Sequence, residues 1–107
     1  MQEDFISKIT TIIEKKAGDE QFGVSELADA MNMSRSNLLR KIKAATGRSA
    51  SQYIRRVRLE IAMEMLKEEE FTVSEISWKV GFVSTSYFIK CFREEFGYPP
   101  GEVGKQQ

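Results

Sequence analysis

The amino-acid sequence predicts an all-α protein of about seven helices, with two helix-turn-helix subdomains joined by one long central helix. Three observations support this prediction. Apolar residues recur at steps of three and four, one segment occurs twice, and a helical stretch without glycine or proline separates the two copies. We expect a single domain over 1–107, divided into a first subdomain at about 3–48, a linker helix at about 49–68 and a second subdomain at about 72–103.

The first predicted helix runs from Glu3 to Lys16. Acidic residues stand at its start and Lys15 and Lys16 at its end, which is the arrangement that the helix dipole favours. Gly18 is expected to stop it. One apolar stripe should pack against the residues that follow, and it consists of Phe5, Ile6, Ile9, Ile12 and Ile13.

An internal repeat is the clearest feature of the chain. The segment VSELADAMNM at 24–33 aligns with VSEISWKVGF at 73–82 at an offset of 49 residues. After one inserted residue, SRSNLLRKIKAATG at 34–47 aligns with STSYFIKCFREEFG at 84–97 at an offset of 50. Each copy reads as a short helix, a tight turn and a second helix, which is the helix-turn-helix pattern.

Turn and cap residues support the same interpretation independently of the alignment. Asn32 and Gly81 stand where each turn is expected, and these residue types adopt positive φ most readily. Serine hydroxyls can accept hydrogen bonds from the unpaired N–H groups of a first helical turn. The N-cap residues expected for the four helices are Ser25, Ser34, Ser74 and Ser84.

The segment from Ser49 to Lys67 is predicted to form the linker helix, with Ser49 as its N-cap. At 1.5 Å per residue it would form a rod of roughly 28 Å. Arg58 is expected on the buried seam of this helix with its aliphatic stem packed. The apolar face that both subdomains should share consists of Tyr53, Ile54, Val57, Ile61, Met65 and Leu66.

The second copy is rich in aromatic residues, which we expect in its core because they occur at helical spacing. They are Trp78, Phe82, Tyr87, Phe88, Phe92 and Phe96, and in the first copy Leu38 and Ile42 play the same part. Cys91 should act as a small apolar side chain. Residues 98–101, which include two prolines, should turn away from the last helix, and 102–107 should form a frayed tail.

Charge is segregated along the chain, although sixteen basic and sixteen acidic residues cancel. Between Ser34 and Arg58 every charged residue is positive, whereas Glu60 to Glu75 is mostly acidic. A single cysteine and no histidine rule out an intramolecular disulfide and a cysteine-rich zinc site, and they leave no combination of residues suited to catalysis. We therefore expect no enzyme, cofactor or metal. With no long apolar run, the expected location is the cytoplasm.

The second helices of the repeat, at about 34–46 and 84–96, carry positive, hydroxyl and aliphatic side chains on their outer faces. Such a helix fits the major groove of DNA, where these groups can bond base edges and touch thymine methyl groups. The residues expected to contact bases are Arg35, Ser36, Leu39, Arg40, Thr85, Ser86, Ile89 and Lys90. Those expected to contact phosphates are Lys41, Lys43, Arg48, Arg55, Arg56 and Arg93.

A different class of function remains open from the residues alone. The same fold occurs in protein-interaction modules, and Leu39, Ile89 or the acidic patch from Glu64 to Glu75 could dock on RNA polymerase or on a partner regulatory domain. A DNA-repair enzyme with this fold as an appendage is a remote third alternative, because Cys91 has no activating neighbours in the sequence.

The motif from Val73 to Phe82, followed by Ser84-x-Ser-Tyr-Phe-x-x-x-Phe-Arg and Gly97-x-x-Pro, closely resembles the second helix-turn-helix of the AraC/XylS family of bacterial transcription regulators. The resemblance implies an all-α domain whose monomer places two recognition helices in successive major grooves on one face of double-stranded DNA. It also implies that positions matching Ser36, Leu39, Arg40, Thr85, Ser86 and Lys90 face bases. Pro99 and Val103 depart from the family pattern at the C-terminal end.

The segments MSRSNL and DFISKITTIIEKK are similar to the output domains of hybrid two-component regulators of gut anaerobes. This likeness implies a C-terminal output domain, fused to or regulated by a sensor, receiver or dimerisation domain. The linker rod of roughly 28 Å is shorter than the turn of about 34 Å in straight B-DNA. We therefore expect either some DNA bending or one weakly engaged subdomain. The operator, the signal, the direction of regulation and the oligomeric state stay open.

Overall fold

The computed structural model describes residues 2–104, without the side chain of Gln2, and in this range it contains six α-helices, one 3₁₀ turn and no strand. This confirms the all-α prediction of about seven helices. The helices are α1 (Gln2–Lys16), α2 (Val24–Ala30), α3 (Arg35–Thr46), α4 (Ala50–Glu68), α5 (Val73–Lys79) and α6 (Thr85–Phe96), and the 3₁₀ turn is Pro100–Glu102.

Two apolar cores lie on either side of the central helix α4. The first module, formed by α1, α2 and α3, packs an aliphatic core that includes Ile9, Leu38 and Ile42 against the first half of α4. The second module, formed by α5, α6 and the 3₁₀ turn, packs an aromatic core around Phe88 and Phe92 against the second half. Each module is small, so the shared helix joins two modest cores into one folded unit.

Helix α4 has two apolar faces rather than the single shared face that the sequence predicts. Val57 belongs to the first core and Leu59 to the second, and Arg58 between them is also buried. Successive residues of a helix are about 100° apart, so Val57 and Leu59 point about 160° away from each other. The predicted stripe was incomplete because it omitted Leu59 and Ala62, which face the second module.

Three of the predicted serine caps are confirmed. Ser34, Ser49 and Ser84 each accept a hydrogen bond from a backbone N–H three residues later, at 3.1 to 3.2 Å. This bond satisfies one of the unpaired donors at the start of α3, α4 and α6.

The other two predicted caps, Ser25 and Ser74, are wrong. Helices α2 and α5 begin two residues earlier than these caps would require, so their N-caps are Gly23 and Thr72. A hydroxyl on the second residue of the helix lies past the cap position. Ser25 and Ser74 instead bond the first residue of the helix that follows.

The caps of α2 and α5 differ in strength. Thr72 Oγ1 accepts from the Glu75 N–H at 3.1 Å, and Glu75 Oε1 accepts from the Thr72 N–H at 2.8 Å, which is a reciprocal capping box. The Thr72 N–H, and after it the Thr72 hydroxyl, stabilise the Glu75 carboxylate and hold the pKa of this carboxyl below its usual value of 4.5. At the start of α2 only half of this arrangement exists, because Gly23 has no side chain and Glu26 Oε1 alone accepts from the Gly23 N–H at 2.9 Å.

The turns of both modules use the residues that the sequence predicts. Asn32 has φ 56° and Gly81 has φ 89°, both in the left-handed region. Each is followed within a few residues by the capping serine of the second helix. The local chemistry of these turns therefore fixes where both second helices begin.

Two aromatic residues that were predicted to lie in the core are exposed instead. Trp78 is 74% exposed and Tyr87 is 47% exposed, whereas Phe82, Phe88 and Phe92 are buried as expected. In α5 the inward positions belong to Ile76 and Ser77, so the next residue, Trp78, faces solvent. Cys91 is buried beside the phenylalanines, in agreement with its expected apolar role.

The C-terminal segment stays packed against the second core as far as Val103, which is beyond the predicted start of the tail. Pro100 is buried, and Val103 lies against the second core, so the expectation of a frayed tail from residue 102 is wrong at Val103. Tyr98 contacts the Phe92 ring edge-on at a centroid distance of 6.2 Å. The rest of the predicted tail, 105–107, lies outside the described residues.

Candidate nucleic-acid interface

The outer surfaces of α3 and α6 hold the predicted base-contacting residues. Seven of the eight side chains are exposed, with Leu39 at 37% and Ile89 at 36%, and Thr85 is partly buried. A helix whose core-facing residues are Leu38 and Ile42, or Phe88 and Phe92, necessarily turns the intervening positions outward. Both second helices thus present cationic, hydroxyl and aliphatic groups on an accessible face.

One contact recurs in both modules and joins the two helices of each helix-turn-helix. Arg35 Nη1 donates to Ser25 Oγ at 2.9 Å, and in the second module Thr85 Oγ1 lies 3.3 Å from Ser74 Oγ. Thr85 also lies 3.1 Å from the buried Ser77 hydroxyl. The first residue of each second helix is therefore tied to the preceding helix, so Arg35 and Thr85 are less free to reach outward than their neighbours.

Two cations of α3 also have partners on the same helix or at its C-cap. Arg40 Nη2 donates to Asn37 Oδ1, one turn earlier on the exposed side. Lys43 Nζ donates to the carbonyl oxygen of Gly47 at 3.0 Å, beyond the C-terminal end of the helix. Both side chains remain exposed, so these contacts orient them without removing them from a ligand's reach.

Arg48 and Arg56, which the sequence places at phosphates, are paired with a carboxylate of α6. Arg48 Nη1 lies 3.0 Å from Glu95 Oε1, and Arg56 Nη1 lies 3.6 Å from Glu95 Oε2. Arg56 also pairs with Glu60 at 3.5 Å. Glu95 is mostly buried, with 17% of its side chain exposed. These arginines therefore link the modules, and the Glu95 carboxylate partly neutralises their charge.

The remaining predicted phosphate contacts are Lys41, Arg55 and Arg93. Lys41 Nζ lies 5.3 Å from the centre of the Phe5 ring, on the side of α3 that faces α1. Arg93 is exposed on α6, three residues after Lys90. Arg55 Nη1 lies 3.5 Å from Tyr87 Oη at the rim of a cleft between the modules.

This inter-module cleft was not predicted from the sequence. Its volume is about 240 Å³, and its walls come from the start of α2, the first half of α4 and the turn before α6. A hydrogen bond with Cys91 raises the pKa of Tyr87, and nearby Arg55 acts in the opposite direction. Arg58 lies in the cleft wall and bonds only to backbone carbonyls, which leave no signature in a sequence.

Within residues 2–104 the structure brings together no group of three side chains suited to hold a metal ion. No helix in the same range is both long and apolar enough to cross a bilayer. The exposed faces of α3 and α6 offer cationic donors, hydroxyl groups and aliphatic contacts, on helices of a width that a major groove accepts.

Comparison with known proteins gives matches over most of the chain. A model of a helix-turn-helix domain family matches residues 27–106. Histidine kinase P4 of Formosa agariphila is 34% identical over 102 residues, which is 95% of this chain and 7% of that protein. The HTH-type transcriptional regulator GbdR of Pseudomonas aeruginosa is 37% identical over 89 residues, or 83% of this chain and 24% of that protein.

A solved structure shows the same architecture. The C-terminal domain of the two-component response regulator yesN from Fusobacterium nucleatum superposes with a TM-score of 0.81 at 29% identity, covering 94% of this chain and 97% of that one. The chain thus spans all but a small part of a solved output domain, but at most about a quarter of these two curated relatives.

Proposed function

The chain belongs to the AraC-type helix-turn-helix family of bacterial DNA-binding transcription regulators, and on this basis we propose that it binds specific double-stranded DNA with α3 and α6 in successive major grooves. The family membership gives the class of function. The assignment of grooves, residues and partners is our own inference from the two exposed faces.

One observation supports the proposal most strongly. At an offset of 50 residues, the outer face of α3 and that of α6 repeat the same chemical types on exposed positions. Ser36 matches Ser86, Leu39 matches Ile89, and a cation at Arg40 matches a cation at Lys90. A solvated surface has no need to repeat hydroxyl, aliphatic and cationic positions in register, whereas two helices that read base edges in the same manner do.

Residue roles follow from the contacts within each module. Ser36, Leu39, Arg40, Ser86, Ile89 and Lys90 are the primary base-contacting residues, and Arg35 and Thr85 contribute while they hold the two helices of their motif together. Lys43, Arg55 and Arg93 are the main phosphate contacts. Arg48 and Arg56 contribute less because the Glu95 carboxylate already pairs with them, and Lys41 contributes less because its ammonium lies over the Phe5 ring.

We further propose that this domain is the output part of a larger regulator. The relatives support this, since one is called a histidine kinase and the solved neighbour is the C-terminal domain of a two-component response regulator. In such a protein a sensor, receiver or dimerisation domain would control when the DNA-binding domain acts. The chain described here supplies the DNA contacts.

The test is a selection of DNA from a pool of random duplexes at fixed salt, followed by gel-shift titration of the enriched sequences. We expect a motif with two half-elements about one helical turn, or roughly 10 base pairs, apart. We also expect the selected site to bind at least about a thousandfold more tightly than random duplex. Recovery of no enriched motif would refute the proposal.

A role in protein docking is the second candidate, and exposed apolar side chains outside the recognition faces favour it. Trp78 and Val83 are each 74% exposed, and RNA polymerase or a partner regulatory domain could cover them. Salt distinguishes the two candidates. For duplex DNA, the logarithm of the binding constant should fall linearly with the logarithm of the salt concentration, with a slope of about −0.9 for each phosphate contact. Docking through apolar groups should depend far less on salt.

A further inference from the structure

We propose that Arg58 is the positioning residue that fixes the two recognition helices relative to each other and so sets the spacing of DNA half-elements that the domain accepts. The proposal rests on the proposed function, since it concerns how the two DNA-binding modules are held together. A buried arginine that is not one of the proposed base-contacting residues would thus control which spacing of half-elements the domain accepts.

Arg58 bonds to both modules at once. From the first module, the connection between α1 and α2 presents the carbonyl oxygens of Ala17, Asp19 and Phe22, of which the last two accept from Nη2 at 3.1 and 2.9 Å. From the second module, the carbonyl oxygen of Val80 accepts from Nη1 at 2.8 Å. The planar guanidinium has four Nη–H donors in a fixed geometry, which matches these four acceptors.

The burial of this charge makes those bonds indispensable. Only 6% of Arg58 is exposed, and desolvation lowers its pKa, with nearby Asp19 opposing the shift. Among the described residues, every buried side-chain nitrogen and oxygen has a hydrogen-bond partner. A buried cation that loses one set of carbonyls is strongly destabilised, so a rotation of one module away from the other is opposed by the whole set of bonds.

The second module is shaped to receive the guanidinium. Gly81 has φ +89°, and a Cβ built on it would lie 1.7 Å from Arg58 Nη1 and 2.3 Å from the Ala17 carbonyl oxygen. Glycine is thus required twice over, for its backbone conformation and for the space that Arg58 occupies. Helix α6 starts at Thr85, so the clamped turn leads almost directly into the second recognition helix.

Apart from Arg58, the modules are held together mainly through α4. The helices of each module pack against α4, and neither set packs extensively against the other. The pairs from Arg48 and Arg56 to Glu95 form a second link, but both arginine side chains are more than 30% exposed, so solvent weakens it. Arg58 is therefore the buried contact that fixes the angle between the modules around the axis of α4.

The first measurement is spacing preference. Duplexes carry the two selected half-elements at the preferred separation, or one base pair closer or farther, which shifts the second element by about 3.4 Å and rotates it by about 34°. We expect wild-type protein to favour the preferred spacing by at least about tenfold, and Arg58→Met to reduce this ratio to about threefold or less. Affinity for a duplex with one half-element should change by less than about twofold.

Two glycine variants provide a matched pair. Gly81→Ala forces a side chain into the clamp, whereas Gly97→Ala imposes the same kind of positive-φ strain, at φ +87°, with no atom within 4 Å. Gly81→Ala should flatten the spacing preference as Arg58→Met does, and Gly97→Ala should leave it as in wild type. If Arg58→Met does not fold, Arg58→Lys replaces it, because a single ammonium keeps the charge but cannot satisfy both modules together.

The second measurement needs no DNA and so separates this proposal from the proposed function. Spin labels are attached at Ala44→Cys and Glu94→Cys in a Cys91→Ala background. Pulsed electron paramagnetic resonance then reports the distance between α3 and α6. We expect a narrow distance distribution with Arg58 and a broadened or shifted one in Arg58→Met and Gly81→Ala. An unchanged distribution and an unchanged spacing ratio in folded variants would overturn the role of Arg58, whereas a broadened distribution without any selected DNA motif would overturn only the proposed function.

Discussion

The two modules share one helix-turn-helix frame but build it from different cores. The first module uses aliphatic residues such as Leu38 and Ile42 and needs the additional helix α1 to cover them. The second uses a chain of aromatic contacts from Phe82 through Phe88, Phe92 and Phe96, closed by the 3₁₀ turn. The repeat therefore preserves positions rather than residue types: the turn and the caps fix the frame, and any apolar set of suitable volume can fill it.

The outer faces of the modules share hydroxyl, aliphatic and cationic positions, but they differ in residue at two important positions. The first face carries two arginines, Arg35 and Arg40, where the second has Thr85 and Lys90. Arginine bonds guanine through two donors in a fixed plane, whereas lysine acts as a point charge and threonine as a single hydroxyl. In the proposed DNA complex we therefore expect the first module to read bases more strongly than the second.

The largest expected effect comes from the cores. Phe92→Ala should reduce the free energy of unfolding by about 3 to 5 kcal/mol and Ile42→Ala by about 2 to 5 kcal/mol, since both side chains are fully buried. Because α4 contributes to both cores, each variant should still unfold in one transition. Urea unfolding, followed by circular dichroism and by Trp78 fluorescence, measures both the free energy of unfolding and the number of transitions.

The exposed Lys67→Ala is the control for the core variants, with an expected change within about 0.5 kcal/mol. Two separate transitions in Phe92→Ala, with fluorescence preceding circular dichroism, would contradict the shared-helix interpretation. In that case the second module would be an independent unit that only touches α4.

The next effect concerns the recognition faces. Arg40→Ala and Lys90→Ala should each weaken binding to the selected site by about 1 to 3 kcal/mol, with Arg40 nearer the upper end because of its two-donor geometry. Each should relax specificity at one base pair. Fluorescence anisotropy at fixed salt, on the selected duplex and its single-base variants, measures both, and Lys79→Ala on α5 serves as the control.

A different outcome would reassign these two residues. If Arg40→Ala or Lys90→Ala weakens binding to all duplexes by the same factor and lowers the salt slope by about 1, the side chain contacts phosphate rather than a base. If Lys90→Ala alone has no effect on a site with two half-elements, the second module is the weakly engaged one. That result would support the linker-length argument for unequal engagement.

The sequence predicted those features that depend on local chemistry. The caps at Ser34, Ser49 and Ser84 and the positive φ at Asn32 and Gly81 involve residues a few positions apart. A hydroxyl at the start of a helix or a glycine at a turn acts in the same way whatever surrounds it. The starts of α3, α4 and α6, and with them the two outward faces, therefore followed from the residues alone, whereas the starts of α2 and α5 did not.

Features that depend on tertiary contacts could not be predicted. The pairing of Arg48 with Glu95 joins residues 47 positions apart, and the bonds of Arg58 go to carbonyl oxygens that every residue possesses. A helix of seven residues such as α5 covers only two turns, which is too short for periodicity to decide whether Trp78 faces in or out. Leu59 was likewise missed, because a helix buried on two faces does not show a single stripe.

The smallest effects test the difference between the N-caps of α2 and α5, the first helices of the two helix-turn-helix motifs. Thr72→Ala removes the hydroxyl that accepts from the Glu75 N–H, and it should cost about 1 kcal/mol of unfolding free energy. The measurement is urea unfolding at neutral pH, with Thr11→Ala on the exposed side of α1 as a control, since its hydroxyl bonds only a carbonyl of its own helix. A loss as small as that of the control would mean that the capping box of α5 contributes little.

Gly23→Ser should produce the opposite and smaller change. Gly23 has φ −138°, which any residue adopts, and an added Cβ would lie 3.5 Å from Glu26 Oε1, an ordinary contact. A serine hydroxyl there can complete the reciprocal box that the second module already has, so we expect a gain of a few tenths of a kcal/mol relative to glycine. Because the change leaves both recognition faces intact, DNA affinity should stay the same. A loss of stability would show that the first module needs a bare backbone at the edge of the inter-module cleft, where Gly23 lies, and that the two caps differ for a reason other than chance.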